Sequence, residues 1–129
     1  MHILVIEGNA DHRKVLSQTL GRARGPCPRC VLPVTFEVET VETSEEAERR
    51  LRVGEYDFVI LDLCEDAGSE VQTLVPLMES KNIPYVFYTN AEVKTKVPVL
   101  RKPAEAMRLD LATRVCDYYH SFMKSHQKV

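Results

Sequence analysis

Residues 58–61 place the strongest restriction on the fold, because four consecutive apolar side chains run directly into the carboxylate of Asp62. An unbroken apolar run of this length is typical of a strand buried on both faces, and such strands belong to parallel sheets. A similar run at residues 3–6 stops at Gly8 and Asn9. The two runs predict a parallel sheet with polar residues at the carboxyl ends of its strands.

Helical patterns alternate with the predicted strands. Apolar residues spaced by three or four predict helices over residues 11–22, 43–54 and 71–78, and from 103 to the end. Pro76 kinks the third helix or resets its start. The remaining strands are predicted at residues 34–41, 84–89 and 97–100, and the polar alternation of the first of these suits a sheet edge. The order β-α-β-α-β-α-β-β-α predicts an α/β fold with a doubly wound, five-stranded parallel sheet.

Length and composition fit one soluble domain. The chain has 129 residues, of which 44% are hydrophobic and 28% charged, so we expect one folded domain with a single core over residues 1–124 and a C-terminal tail over 125–129. A net charge of -2 disfavours nucleic-acid binding, which uses a broad basic surface. We expect a cytoplasmic protein, because no apolar run is long enough for a membrane span or a secretory signal.

Four polar residues are predicted to end strands of this sheet: Glu7, Asp62, Thr89 and Lys102. Ligands of open α/β sheets bind beyond the carboxyl ends of the strands. Carboxylate oxygens suit Mg²⁺, and a lysine offsets the charge of a phosphate. The spacing therefore predicts a metal and phosphoryl site at one edge of the sheet.

The chain resembles the receiver domain of two-component response regulators from residue 2 to about residue 122. The matching pieces are ILVIE at the first strand, YDFVILDL around Asp62, IPYVFYTN ending near Thr89, and VLRKP with its Lys102-Pro103 pair. The last two pieces resemble a subgroup of small, stand-alone receivers with no attached output domain. The resemblance implies a flavodoxin-like receiver fold.

The same resemblance implies roles for the site residues. Asp62 would be the phosphoacceptor, and a sensor histidine kinase or a phosphotransfer protein would phosphorylate it. Glu7, Asp62 and the backbone carbonyl of Cys64 would hold Mg²⁺, while Thr89 and Lys102 would contact the phosphoryl group. The Lys102-Pro103 peptide would be cis, which the low cost of a cis X-Pro bond permits.

The acidic pair that receivers usually carry after the first strand is incomplete, because Gly8 follows Glu7. Loss of one direct carboxylate should weaken Mg²⁺ binding by at least about tenfold, or roughly 1.4 kcal/mol. Three acids on flanking loops are candidates to replace it, namely Asp11, Glu65 and Asp66. Their simpler interpretation is a helix-starting acid for the first and solvated loop charges for the others.

The connection between the fourth and fifth strands is short, since only residues 90–96 separate them. As a helix these residues would rise about 10 Å, less than the roughly 17 Å of a five-residue strand, so the fourth helix should be reduced or missing. We therefore expect Val86, Val97 and Val99 to be partly bare on one face unless the last helix or another chain shields them. A homodimer around strand five and the last helix would cover them, with a partner protein as the alternative.

Cys27 and Cys30 lie in a proline-rich loop at residues 25–33, which places them at the opposite edge of the sheet from Asp62. A plain loop is the favoured interpretation, and intermolecular zinc binding is the alternative. The four histidines show no ligand spacing and are interpreted as surface residues.

The sequence thus leads to two hypotheses of function. The first is a single-domain response regulator that is phosphorylated on Asp62 and signals through protein-protein contacts, without turnover of an external substrate. The second is a pseudo-receiver, an interaction module that works without phosphate. A flavodoxin-like mononucleotide binder fits less well, because the chain lacks a Gly-rich phosphate loop after the first strand.

Overall fold

The computed structural model describes residues 1–21, 35–62, 68–89, 97–102 and 111–126, and the side chains of these residues except 68–72 and 126. The described residues form five strands and four helices in the predicted order: β1 His2–Ile6, α1 Ala10–Gly21, β2 Glu37–Val41, α2 Ser44–Val53, β3 Phe58–Asp62, α3 Gly68–Ser80, β4 Tyr85–Thr89, β5 Val99–Arg101 and α4 Leu111–His126.

The five strands form one parallel sheet in the order β2-β1-β3-β4-β5. The predicted doubly wound α/β fold is confirmed, and β2 lies at an edge as its alternating polarity predicts. The strand order changes direction at β1, with β2 on one side and β3 on the other. Parallel pairing brings the carboxyl ends of all five strands to the same edge of the sheet.

Each face of the sheet carries its own apolar core. Alternate residues of the strands point to opposite faces. One core joins Ile3 and Ile60 to buried residues of α1 and α4, and the other joins Leu4 and Val59 to buried residues of α2 and α3. The central strands are therefore covered on both sides, which explains why their sequences are continuous apolar runs.

The side chain of Thr43 caps the start of helix α2. The Thr43 side chain accepts a hydrogen bond from the backbone N–H of Glu46 at 3.2 Å. At the other end, the Gly54 N–H donates to the carbonyl of Arg50 at 2.8 Å. The ammonium of Lys81, which follows α3, donates to the carbonyls of Leu51 and Gly54. A cation at this end also opposes the negative pole of the helix dipole.

Two predicted strand boundaries are wrong. Strand β2 begins at Glu37 rather than at residue 34, and β5 covers Val99–Arg101 rather than residues 97–100. Pro98 has no N–H to donate to a ladder, although its carbonyl accepts from the N–H of Phe87 at 3.1 Å. The regular pairing of β5 therefore starts after this proline, with Val99 opposite Phe87.

Val86 is shielded by the last helix, which is one of the two covers expected for it. Its side chain is fully buried in the core that Leu111 and Val115 of α4 complete. The last helix thus covers this part of β4, whereas Val97 and Val99 are half-buried beside the other core. Self-association stays a prediction. The apolar surface that could support it is smaller than expected, because Val86 is buried and only Val97 and Val99 are partly exposed.

Several predictions fall outside the described residues. These are the short connection 90–96, the loop that holds Cys27 and Cys30, the Cys64 carbonyl, Glu65 and Asp66, and the Lys102-Pro103 peptide.

Pro76 lies inside helix α3, which continues past it to Ser80. In the part of the chain that is described, every helix lacks the combination of length and hydropathy that a membrane-spanning segment requires.

Candidate functional site

The four predicted site residues meet at the carboxyl edge of the sheet. Glu7 follows β1, Asp62 is the last residue of β3, Thr89 is the last residue of β4, and Lys102 follows β5. Glu7 and Thr89 are buried, with 2% and 1% of their surface exposed. The backbone N–H of Glu7 still donates to the carbonyl of Val41 in β2, which fixes the start of the loop after β1.

The ammonium of Lys102 joins both carboxylates of the site. Its Nζ lies 2.8 Å from Oε2 of Glu7 and forms a second ion pair with Oδ1 of Asp62. The side chains of Lys102 and Asp62 are each 13% exposed, so both ion pairs are shielded from bulk water. One cation between two acids leaves the site with a net charge near -1, which favours a further cation.

Burial and neighbouring charges set the ionisation of the site. Burial raises the pKa of Asp62 to about 6, the hydrogen bond from Lys102 opposes this rise, and the negative charge of Glu7 adds to it. Burial disfavours the charged form of Lys102, but its bonds to Asp62 and Glu7 outweigh this effect and raise the pKa of the ammonium. Lys102 therefore stays positively charged at neutral pH, and the carboxylate of Asp62 beside it is more basic than that of an ordinary aspartate.

The loop between β1 and α1 holds Glu7 in place. The backbone N–H of Asn9 donates to Oε1 of Glu7 at 3.1 Å. The guanidinium of Arg13 donates to the carbonyls of Glu7 at 2.8 Å and Gly8 at 3.1 Å. These bonds fix both the backbone and the carboxylate of Glu7 where Lys102 reaches it.

Asn9 also caps helix α1. Its side-chain oxygen accepts hydrogen bonds from the N–H groups of Asp11 at 2.9 Å and His12 at 3.1 Å. Asp11 is exposed in the first turn of this helix. This position supports its interpretation as a helix-starting acid rather than a replacement ligand.

Two further residues line the site, and the sequence analysis missed both. The ring of Tyr88 is fully buried and faces the ammonium of Lys102, whose Nζ lies 5.0 Å from the ring centroid. The ring of His12 meets Tyr88 edge to face at 6.1 Å, and its Nδ1 lies 3.8 Å from Oε2 of Glu7. His12 was predicted to be a surface residue, and 31% of its side chain is exposed, but its ring also contacts the site.

Two buried side-chain atoms of this cluster, His12 Nδ1 and Tyr88 Oη, have no hydrogen-bond partner among the described residues. The buried oxygens Glu7 Oε2 and Asp62 Oδ1 both meet the ammonium of Lys102. Unpaired buried polar atoms are costly and usually mark a place where water, an ion or a substrate binds. Their concentration here distinguishes this edge of the sheet from the rest of the described chain.

The donor set fits a weakly held Mg²⁺ ion. Magnesium is usually held by one or two carboxylates together with phosphate oxygens, and Glu7 and Asp62 supply two carboxylates with buried oxygens. Gly8 adds no ligand, and the described residues contain no group of three or more acidic, histidine or cysteine side chains placed to hold a metal. A Cβ atom at Gly8 would lie 3.9 Å from the nearest atom outside its chain neighbours, the carbonyl oxygen of Glu42, so the site has space for a side chain there.

Comparison with known proteins identifies the fold. No protein-family model and no curated protein sequence matches the chain. Solved structures do match it over nearly its whole length. A CheY-like response regulator receiver domain protein from Methanospirillum hungatei JF-1 superposes with a TM-score of 0.72 at 12% identity, covering 96% of this chain and 97% of the other.

Two further structures agree. A response regulator from Thermotoga maritima gives a TM-score of 0.71 at 18% identity and covers 92% of this chain and 97% of its own. The BeF3-activated conformation of SdrG from Pseudomonas melonis Fr1 gives 0.65 at 25% identity, covering 91% and 93%. The chain is thus an α/β protein whose candidate site lies at the carboxyl ends of its parallel strands, where ligands of such sheets bind. More particularly, it has the receiver-domain fold of response regulators.

Proposed function

We propose that this protein is a response-regulator receiver in which Asp62 accepts a phosphoryl group from a sensor histidine kinase or a phosphotransfer protein. The observation that carries the proposal is the meeting of Asp62, Glu7 and Lys102 at the ligand edge of a receiver fold. Each residue comes from a different strand end, so the grouping is a product of the fold.

The proposed reaction transfers one phosphoryl group to one carboxylate. A carboxylate oxygen of Asp62 attacks phosphorus as the P–N bond of the donor phosphohistidine breaks. The electron pair of that bond returns to the imidazole nitrogen, which takes a proton from solvent. The product is an acyl phosphate on Asp62, and no external substrate is turned over.

The residues around Asp62 suit this transfer. The ammonium of Lys102 already contacts Asp62, so it needs little movement to neutralise charge on the incoming phosphoryl oxygens. Thr89 is buried at the end of the adjacent strand, and its hydroxyl would be a further contact for the phosphoryl group. Mg²⁺ held by Glu7 and Asp62 would supply additional charge compensation for the phosphoryl oxygens.

Signalling would follow from the exchange of partners at Lys102. In the unphosphorylated protein the ammonium pairs with two carboxylates. Phosphorylation replaces the Asp62 carboxylate by a group with more negative charge and a greater reach. The resulting shift of Lys102 and Thr89 would alter the surface presented to partner proteins.

A pseudo-receiver is the second candidate, and two observations favour it. Gly8 leaves the site one acid short of the usual pair, and Lys102 forms ion pairs with both remaining carboxylates, so only about one negative charge is unbalanced. Such a site is stable without phosphorylation. The fold would then serve as an interaction module.

Beryllofluoride discriminates between the two functions. We expect ¹H–¹⁵N spectra of the wild type to change around Asp62 when beryllofluoride and Mg²⁺ are added, as in a receiver that binds this phosphoryl mimic. Asp62→Asn should show no such change. Asp57→Asn is the matched control, because Asp57 lies at the other end of β3, where it accepts a hydrogen bond from the N–H of His2 at 2.8 Å.

A wild-type spectrum that beryllofluoride leaves unchanged would support the pseudo-receiver instead. An equal response of Asp62→Asn and the wild type would exclude Asp62 as the acceptor.

A further inference from the structure

We propose that Tyr88 is a positioning residue of the acceptor site, because its ring holds the ammonium of Lys102 where it contacts Asp62 and Glu7. This inference rests on the proposed function for its catalytic consequence. Its structural content, the contact of a lysine with an aromatic ring, can be tested without phosphorylation.

The contact of Lys102 with Tyr88 is the first argument. The Nζ atom lies over the ring, 5.0 Å from its centroid. A cation within about 6 Å of a ring centroid is attracted by the negative face of the ring, and the attraction grows as water is excluded. Tyr88 is fully buried and Lys102 is mostly buried, so this contact is largely desolvated.

The rigidity of the ring is the second argument. Tyr88 belongs to the core that α1 and α4 share with the sheet, a core that also contains Leu16 and Val115. The edge of the ring meets His12 at 6.1 Å with an interplanar angle of 78°. A ring packed in this way cannot leave the site, whereas a lysine side chain has many rotamers in water. The ring therefore restricts the lysine.

The position of Tyr88 in the strand is the third argument. Tyr88 pairs with Asp62 in the sheet and with Leu100 on its other side, so it stands between the acceptor and β5. Lys102 has to cross β4 to reach Asp62 and Glu7. The ring lies beneath this path, and a smaller side chain would leave the ammonium free to turn towards solvent.

Proton NMR of Lys102 tests the contact directly. Protons above an aromatic ring are shifted upfield, so the ε-methylene protons of Lys102, assigned by their loss in Lys102→Arg, should lie upfield of those of the exposed Lys14. The shift should persist in Tyr88→Phe, which keeps the ring, and disappear in Tyr88→Leu. Phe87→Leu is the matched control, because Phe87 is the preceding buried ring on the opposite face of the sheet.

The same variants test the positioning role. With the loss of a partly desolvated cation–π contact, we expect Tyr88→Leu to bind beryllofluoride about fivefold more weakly than wild type. Tyr88→Phe should retain the wild-type affinity, and Phe87→Leu should too, although it loses a similar amount of core packing. Unfolding in urea would show whether the two leucine variants are comparably destabilised.

Three results would overturn the proposal. The first is a Lys102 signal in the wild type at the position of Lys14, which decides the matter even if a variant fails to fold. The second is an upfield shift that survives in Tyr88→Leu or is lost in Phe87→Leu. The third is equal beryllofluoride affinity of Tyr88→Leu and wild type. A wild type that binds no beryllofluoride contradicts the proposed function, while the Lys102 shift still decides the contact with Tyr88.

Discussion

Lys102 and Glu7 form an ion pair of 2.8 Å although they follow strands β5 and β1, which are separated in the sheet by β3 and β4. Three strand spacings amount to about 14 Å, so the two side chains reach towards each other over the ends of the intervening strands. Asp62, the proposed phosphoacceptor, is the last residue of the intervening strand β3 and also pairs with Lys102. Because of this pair, the charges of Lys102 and Glu7, which come from opposite sides of β3, both lie close to the carboxylate of Asp62.

Replacing Lys102 by methionine should destabilise the protein at neutral pH. Glu7 would remain buried without its cation and would face Asp62, a second negative charge. Because the pair is shielded but not fully buried, we expect a loss of about 2 kcal/mol in the free energy of unfolding. Urea denaturation measures this loss. Lys14→Met is the control, because Lys14 is exposed on α1, and equal losses for the two variants would contradict the account.

Gly8→Asp should tighten Mg²⁺ binding by about tenfold, because it restores a carboxylate beside Glu7. The nearest atom to the new Cβ is 3.9 Å away, so the substitution should fit without displacing the loop. Titration calorimetry with Mg²⁺ on both proteins measures the change. Gly21→Asp adds the same charge at the end of α1, where nothing lies within 4 Å, and should leave the affinity unchanged.

Equal Mg²⁺ affinities of Gly8→Asp and wild type would mean that the gap beside Glu7 does not limit metal binding.

Thr43→Ala should lower the free energy of unfolding by about 1 kcal/mol, because it removes the oxygen that caps helix α2. That oxygen accepts from the N–H of Glu46 at 3.2 Å. Thr43→Ser keeps a hydroxyl and should retain most of the stability. Chemical denaturation of the three proteins checks this, and a loss as large in the serine variant would show that the methyl group matters instead.

Acid should weaken the attachment of β2 to its neighbours through Glu39. A hydrogen bond of 2.6 Å from Tyr56 is the main cause that lowers the pKa of Glu39 below its usual value of 4.5, with Arg50 and His2 contributing and burial opposing. A lowered pKa in the folded state stabilises the protein above the unfolded-state value. This stability is lost as the pH falls through the folded-state pKa.

Tyr56→Phe removes the main cause, so its stability should fall less steeply than that of wild type below about pH 5. Free energies of unfolding from urea titrations across this range provide the measurement. In a Glu39→Gln background the same substitution should no longer change the slope. An unchanged slope for Tyr56→Phe in the wild-type background would contradict the assignment.

The sheet and the position of Asp62 were predictable because their signals are local. The run at residues 58–61 ends at Asp62, and periodicity alone placed this carboxylate at the ligand edge. The start of β5 was not predictable in the same way, because Pro98 interrupts an apolar stretch that otherwise continues from Val97. Hydrogen-bonding capacity, rather than hydrophobicity, decides that boundary.

Tyr88 and His12 were missed for a different reason. Tyr88 has the apolar ring expected of a buried strand, and nothing in its immediate sequence shows that Lys102 will lie over it. His12 lies in the first turn of helix α1, which follows β1, and residues at this position border the edge of the sheet where ligands bind. Both contacts join side chains from elements that are separated in the sequence, so only the three-dimensional arrangement reveals them.

Phosphorylation of Asp62 is the most direct test of the central claim. The wild type and Asp62→Asn would be incubated with a small acyl-phosphate donor and Mg²⁺, and intact-mass spectrometry would compare each protein before and after. We expect the wild type to gain the mass of one phosphoryl group and Asp62→Asn to gain none. A wild type that gains no phosphate, or an Asp62→Asn variant that gains it equally, would contradict the account.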